Sequence, residues 1–268
     1  MKKYELTNET ITIDNGKTLH RIRALVDIET YEVKIGDLGG YIEKEENLSH
    51  YGDAWVCGDS MVYGDARVFG NVKICGDARV YDNAKVFGDA WVGGNAKVFG
   101  DARVFGDVKI CDNARVFGNA LVYGNAKVYG VTGVFNDAMV YGNAMVFDNA
   151  FVYGDANVSG DAEVSGDAEV SGHSKVFGHV KVRGDAGIGG DAEINKSSHI
   201  LTIGPIGSRE DTITFFRTKE NIIKVVCGCF YGTIDEFLAQ VELTHENNKY
   251  GQVYRLAAEL AKAQIELD

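Results

Sequence analysis

One apolar position recurs at every sixth residue from Val56 to Ile194, and in 24 successive phrases it is always Val or Ile. The first phrase is Tyr51-Gly52-Asp53-Ala54-Trp55-Val56 and the last is Gly189-Gly190-Asp191-Ala192-Glu193-Ile194. Within the phrase the fourth position is usually Ala, the third Asp or Asn, the second Gly and the first often Tyr or Phe, while the fifth varies. A β-branched residue at this period favours extended backbone, and a Gly-Asp or Gly-Asn pair every six residues breaks any helix. Alternation along Ala66-Arg67-Val68-Phe69 turns Ala and Val inward and Arg and Phe outward. The Gly-[Asp/Asn] pair then turns a corner, because Gly accepts positive φ and Asp and Asn tolerate it. The array holds no Pro, as stacked strands that each need their N–H require.

The flanks lack this period. Ile11-Thr12-Ile13, a turn at Asn15-Gly16 and a return over Leu19 to Leu25 predict a hairpin. Gly36-Asp37-Leu38-Gly39-Gly40-Tyr41-Ile42 reads as an irregular first turn, so residues 1–50 form a cap that closes an otherwise open stack of strands. After residue 200 the composition changes again. A strand with a Gly/Pro turn over 201–209, two strands over 212–218 and 222–230, and a Thr233…Glu236 capping box predict a small α+β unit over 201–268. Its first helix runs to about His245. Its second runs from Tyr250 to about Leu267, with Val253, Leu256, Leu260, Ala263 and Leu267 on one apolar face. About 65 residues make a marginal core, so this unit is expected to dock on the array or to dimerise.

The array resembles the hexapeptide repeat of left-handed parallel β-helices. That resemblance implies a mainly β chain whose residues 51–200 form a left-handed parallel β-helix of about eight 18-residue coils, three hexads to a coil. At about 4.8 Å per coil it would extend roughly 38 Å. Columns at spacing 18 agree: Tyr63, Tyr81, Phe99, Phe117, Phe135 and Tyr153 form one, and Phe69, Phe87, Phe105, Tyr123 and Tyr141 a second. The third begins Cys57, Cys75, Gly93, Cys111, so the three faces are chemically distinct. The whole chain also resembles phage and integrated-element proteins often labelled polymer-forming, through Gly36 to Ile42, the Gly-[Asp/Asn]-Ala array, and Ile203 to Arg209 followed by Cys227-Gly228-Cys229-Phe230. This second resemblance implies a phage-type binding protein in the cytoplasm of a bacterial host, modulating or countering a host defence system. It transfers no catalytic residue.

Composition narrows the chemistry. A formal net charge of −12 argues against binding duplex nucleic acid. The N-terminus has no secretory h-region, no stretch reaches the roughly 18 apolar residues of a membrane span, and five cysteines read as reduced cytosolic thiols. The hexapeptide resemblance raises acyltransferase activity, but 24 hexads without an insertion leave no loop to wall a coenzyme site, and His173 and His179 stand at corners. No catalytic residue, cofactor or metal is expected. Cys227-Gly228-Cys229 on a strand would point both thiols one way, as two buried small residues, with His245 the nearest partner in sequence.

The outward columns offer candidate ligand residues. Arg79 and Tyr81, Lys97 and Phe99, and Arg115 and Phe117 interleave cations with rings, as a stack of bases or a phosphorylated ligand would need. The plainer alternative is a self-stacked ladder with the cations laid over the rings. Ser208 and Arg209 close a Gly/Pro loop that suits an anion, or a plain turn. The fifth position turns apolar at Leu121, Met139, Met145 and Phe151, and Gly133 leaves a notch in the Arg115 column. This predicts an interface for the C-terminal unit or a second subunit. Regular corner carboxylates further suggest a nucleic-acid mimic, though 12 Lys and Arg interleave with 19 Asp and Glu in the array. Together these features predict a non-enzymatic, homo-oligomeric scaffold with a host-protein partner or a small phosphorylated ligand.

Overall fold

The structure is a computed structural model that describes residues 1–267. The inward alternation holds throughout the array: Ala at the fourth position and Val or Ile at the sixth are 0–2% exposed. Each phrase forms a short strand, and strands 18 residues apart pair in parallel register, giving three parallel sheets and about nine turns of β-solenoid once the first irregular turn is included. The chain divides into two compact units, Met1–Asn143 and residues 144 onward.

In the first unit, Tyr4–Thr12 and Thr18–Ala24 form the antiparallel hairpin of the cap. Leu38–Ile42 then pairs antiparallel with the hairpin and parallel with Met61–Val62, so the cap converts one pairing mode into the other. Corners are closed by left-handed backbone. At Gly106 (φ +86) a Cβ would lie 2.8 Å from the carbonyl oxygen of Gly124 on the next coil. Where Asp replaces Gly it keeps the same conformation and adds a bond: Asp82 (φ 59) accepts the Gly100 N–H at 3.2 Å, and Asp112 (φ 59) that of Gly130 at 3.1 Å. Third-position side chains hydrogen-bond to their counterparts one coil on, as Asn71 Nδ2 does to Asp89 Oδ1 at 2.8 Å.

In the second unit the coils end at Glu193–Ile194 and are followed by a four-stranded antiparallel sheet: Ile200–Ile206, Asp211–Arg217, Ile223–Cys227 and Phe230–Thr233. One face of this sheet meets the last coil, where Gly187 N donates to Thr214 Oγ1 at 3.2 Å and Lys219 N to Asp191 O at 3.0 Å. The other face packs under α1 (Ile234–His245) and α2 (Lys249–Gln264) around Phe215, Val225, Phe237, Tyr254 and Ala258. The capping box forms as expected, Glu236 N donating to Thr233 Oγ1 and Thr233 N to Glu236 Oε2.

Two expectations are corrected. The stretch 222–230 is not one strand, because Gly228 takes φ +56 and Gly228-Cys229 becomes the two-residue loop of a hairpin. The thiols therefore part: Cys227 is half-buried and Cys229 exposed. The buried face of α2 is Gly251, Tyr254, Ala257, Ala258 and Ala261, while Leu256 is 70% and Leu260 49% exposed. Small residues let the helix approach the sheet, which the larger leucines would hold off.

Candidate functional site

Two regions collect the candidate residues. In the first unit, Arg79, Lys97 and Arg115 open three neighbouring parallel strands in direct register. Beside them Tyr63, Tyr81, Phe99, Phe117 and Phe135 stack with centroids 4.8–5.0 Å apart and planes within 6°. A base held between two rings at van der Waals contact needs about 7 Å between them, so the ring faces are occupied by one another. Burial raises the phenol pKa of Tyr63 to about 12 and raises that of Tyr81 as well, so both stay neutral. The cations do not lie over this ladder. Among the described residues the cation–ring contacts are Arg21 with Tyr41, Lys73 with Tyr31 and Lys224 with Tyr231. Nor, among the described residues, does a carboxylate pair with Arg79, Lys97 or Arg115, because the third-position Asp and Asn side chains bond one another along the corners. The face thus presents a bare column of positive charge edged by rings.

The interface candidates fall in both units. Leu121 and Met139 pair in register and are half-buried, and Gly133 is buried beside Arg115, in the first unit. Its phrase is irregular: Val131 is 56% exposed at the corner, and the buried Thr132 Oγ1 has no hydrogen-bond partner. In the second unit Met145 pairs with Glu163, and Phe151, 39% exposed, with Glu169. His173 and His179 are exposed corner residues, each 3.2 Å from the Asp one coil before, Asp155 and Asp161.

The second region is a cavity of about 240 Å³ in the C-terminal sheet and helices, lined among others by Ser208, Arg209, Asp211, Cys227, Cys229, His245 and Tyr254. Here the structure joins the Ser208-Arg209 turn, the Cys-Gly-Cys hairpin and His245. Gly207 (φ +78) is what admits Tyr254, since a Cβ there would lie 1.9 Å from the phenol oxygen. Burial raises the pKa of both Tyr254 and Cys227, whose side chains hydrogen-bond each other. Arg209 forms no ion pair among the described residues, although its guanidinium and the Asp211 carboxylate approach the same point beside Gly228. The pocket therefore offers a guanidinium with a carboxylate, Asp211, in the same lining, together with a phenol, an imidazole and apolar walls of Phe230, Phe237 and Val241. Among the described residues no three His, Cys, Asp or Glu side chains converge as metal ligands, and no helix is long and apolar enough to cross a membrane. Sequence reasoning missed Tyr254 because it lies on the face of α2 taken as outward. The signal was the Ala-rich spacing of 254, 257, 258 and 261.

A family model described as the YdcK beta solenoid repeat matches residues 78–94, 108–124 and 138–154. The matched stretches include Arg79, Tyr81, Arg115, Phe117 and Leu121 and cover less than half of the chain, so the likeness is one of repeat architecture. A search of curated proteins gives no match. Parallel coils and repeat match together make this chain a β-solenoid repeat protein.

Proposed function

We propose that the protein is a non-catalytic β-solenoid scaffold whose outer cation column receives an anionic partner group, of phosphate type. The observation that carries this is the register of Arg79, Lys97 and Arg115 on adjacent strands with no carboxylate partner among the described residues, in a chain of net charge −12. Parallel strands space such charges at about 4.8 Å, which suits a ligand with repeated anionic groups. The stacked rings give the column a stiff edge and leave no slot for intercalated bases. Coils without inserted loops weigh against a coenzyme pocket on the array.

Calorimetry with long-chain inorganic polyphosphate tests the site: Lys97→Glu with Arg115→Glu abolishes binding, and unchanged affinity rejects the column. On its resemblance to phage and integrated-element proteins, the finer reading is a partner of host origin met in the bacterial cytoplasm, which the scaffold modulates. Self-association belongs to the same proposal and rests on the apolar fifth positions around Phe151. Light scattering should give a defined oligomer that Phe151→Arg disrupts, and a monomer at high concentration sinks that part.

A second reading is favoured by one observation, the Arg209 guanidinium in the lining of the C-terminal cavity, which forms no ion pair among the described residues although Asp211 lines the same cavity. There a small anion with an apolar body would be held by Arg209 and Ser208. Arg209→Ala removes such binding without touching the cation column.

A further inference from the structure

The third outward column of the first unit runs Cys57, Cys75, Gly93, Cys111, and its gap has a cause. A Cβ at Gly93 would lie 2.6 Å from the Trp91 ring, because the indole folds across the strand into the place a side chain would fill. In that posture Trp91 Nε1 donates to Cys75 Sγ at 3.0 Å. On the other side of Cys75, the Trp55–Val56 strand pairs in parallel register with Lys73–Ile74, so Cys57 and Cys75 follow as neighbours, and Cys57 N donates to Ile74 O at 2.8 Å. Lys73 reaches the same face, its ammonium 5.1 Å from the Tyr31 ring centroid. Both thiols are half-buried. Cys111 is a built-in control: it shares the column but is flanked by Gly93 and Tyr129 and has no indole donor.

A sulfur that accepts hydrogen bonds beside a cation is favoured as thiolate. The proximity of Cys57, the Trp91 N–H and the Lys73 charge together outweigh burial and bring the Cys75 thiol down to about 6, whereas Cys57, whose Sγ donates to Ile74 O at 3.3 Å, is pushed up. Burial raises Cys111 instead. Adjacent parallel strands stand about 4.8 Å apart, within the window of about 4.4–6.8 Å between Cα atoms that a disulfide accepts.

We propose that Cys75 is a hydroperoxide-reactive cysteine and Cys57 its resolving partner, the product being a disulfide between adjacent coils. In the first step the Cys75 thiolate attacks the terminal oxygen of a hydroperoxide. An S–O bond forms, the O–O bond breaks, sulfur loses two electrons, and the alkoxide or hydroxide leaves and takes up a proton. In the second step Cys57 sulfur attacks Cys75 sulfur. The S–S bond forms, the S–O bond breaks, and the departing hydroxide leaves with the Cys57 proton as water.

The test is treatment of the full chain with one equivalent of hydrogen peroxide, followed by blocking of free thiols and peptide mass spectrometry. The expected result is a Cys57–Cys75 cross-link and a mass loss of two hydrogens, with Cys111 still alkylated. Cys57→Ser should leave Cys75 as a sulfenic acid captured by dimedone. Trp91→Phe keeps the ring but not the N–H, and should slow iodoacetamide alkylation of Cys75 at about pH 6 by about tenfold, as loss of one hydrogen bond to a charged group implies. Wild-type protein in which Cys75 reacts no faster than Cys111, or in which the cross-link joins other cysteines, overturns the proposal.

Discussion

Lys97 stands directly across from Arg115 in parallel register, with Arg79 on its other side, and among the described residues no carboxylate pairs with any of the three. Like charges on neighbouring strands cost about 0.2–1 kcal/mol per pair. The middle cation bears two such contacts, so Lys97→Gln should raise folding stability by about 0.5 kcal/mol while weakening anion binding. Denaturant midpoints and calorimetry on the same samples check both. A fall in stability would mean that the aliphatic stem of Lys97 serves the fold, not the ligand.

Thr132 occupies an inward position that Ala usually fills, is 2% exposed, and buries a hydroxyl with no partner. Leaving such a group dry costs about 1–3 kcal/mol. Thr132→Ala should stabilise the protein by about 1 kcal/mol, read as a higher denaturant midpoint at unchanged slope. A lower midpoint would contradict the orphaned hydroxyl.

The cap carries a pH dependence. Lys3 is 4% exposed, and its ammonium donates to Ala54 O at 2.6 Å and Gly52 O at 3.1 Å. Burial outweighs the attraction of Asp53 and brings its pKa down to about 8 from 10.5. Between those values the unfolded chain binds more protons than the folded one, so this contribution to stability rises with pH across about 8 to 10.5 and is flat below. Other groups titrate there too, so the quantity to follow is the stability difference between wild type and Lys3→Met. It should move toward the wild type as pH rises through the window. A constant difference would contradict a buried ammonium.

The face of α2 gives a test by contrast. Leu256 and Leu260 are exposed, whereas Ala258 is 0% exposed against the sheet. Leu256→Gln with Leu260→Gln should change monomer stability by less than about 0.5 kcal/mol per site, and Ala258→Leu should cost about 1–3 kcal/mol through overpacking. Thermal unfolding of the two variants separates these cases, and the opposite order would restore the leucine face as the buried one.

The array was legible because each buried contact repeats at one short period. Ala54 and Val56 already state the inward pattern, and the columns at spacing 18 state how coils align. The C-terminal unit was harder for physical reasons. From Ile222 to Phe230 a single Gly228 marks the hairpin loop, and an apolar run on either side of one glycine reads equally well as one strand. On α2, large side chains dominate any count of apolar period, so Val253, Leu256 and Leu260 outweighed Ala257, Ala258 and Ala261, although close approach to a sheet favours the small residues. The cavity joins Ser208, Cys227, His245 and Tyr254 across nearly fifty residues, and no local spacing signals that convergence. The gap at Gly93 was visible in the cysteine column, but its meaning depends on where the Trp91 ring folds.

The central claim, an unpaired cation column built to meet anionic groups, is tested most directly by the salt dependence of polyphosphate binding. Each phosphate neutralised contributes a slope of about −0.7 for a single-stranded polyanion, so three cations predict log affinity falling against log salt with a slope of about −2. Replacing Arg79, Lys97 and Arg115 together with Gln should bring that slope close to zero while the fold persists by circular dichroism. An unchanged slope in the triple variant, or no binding by the wild type at low salt, would contradict the account.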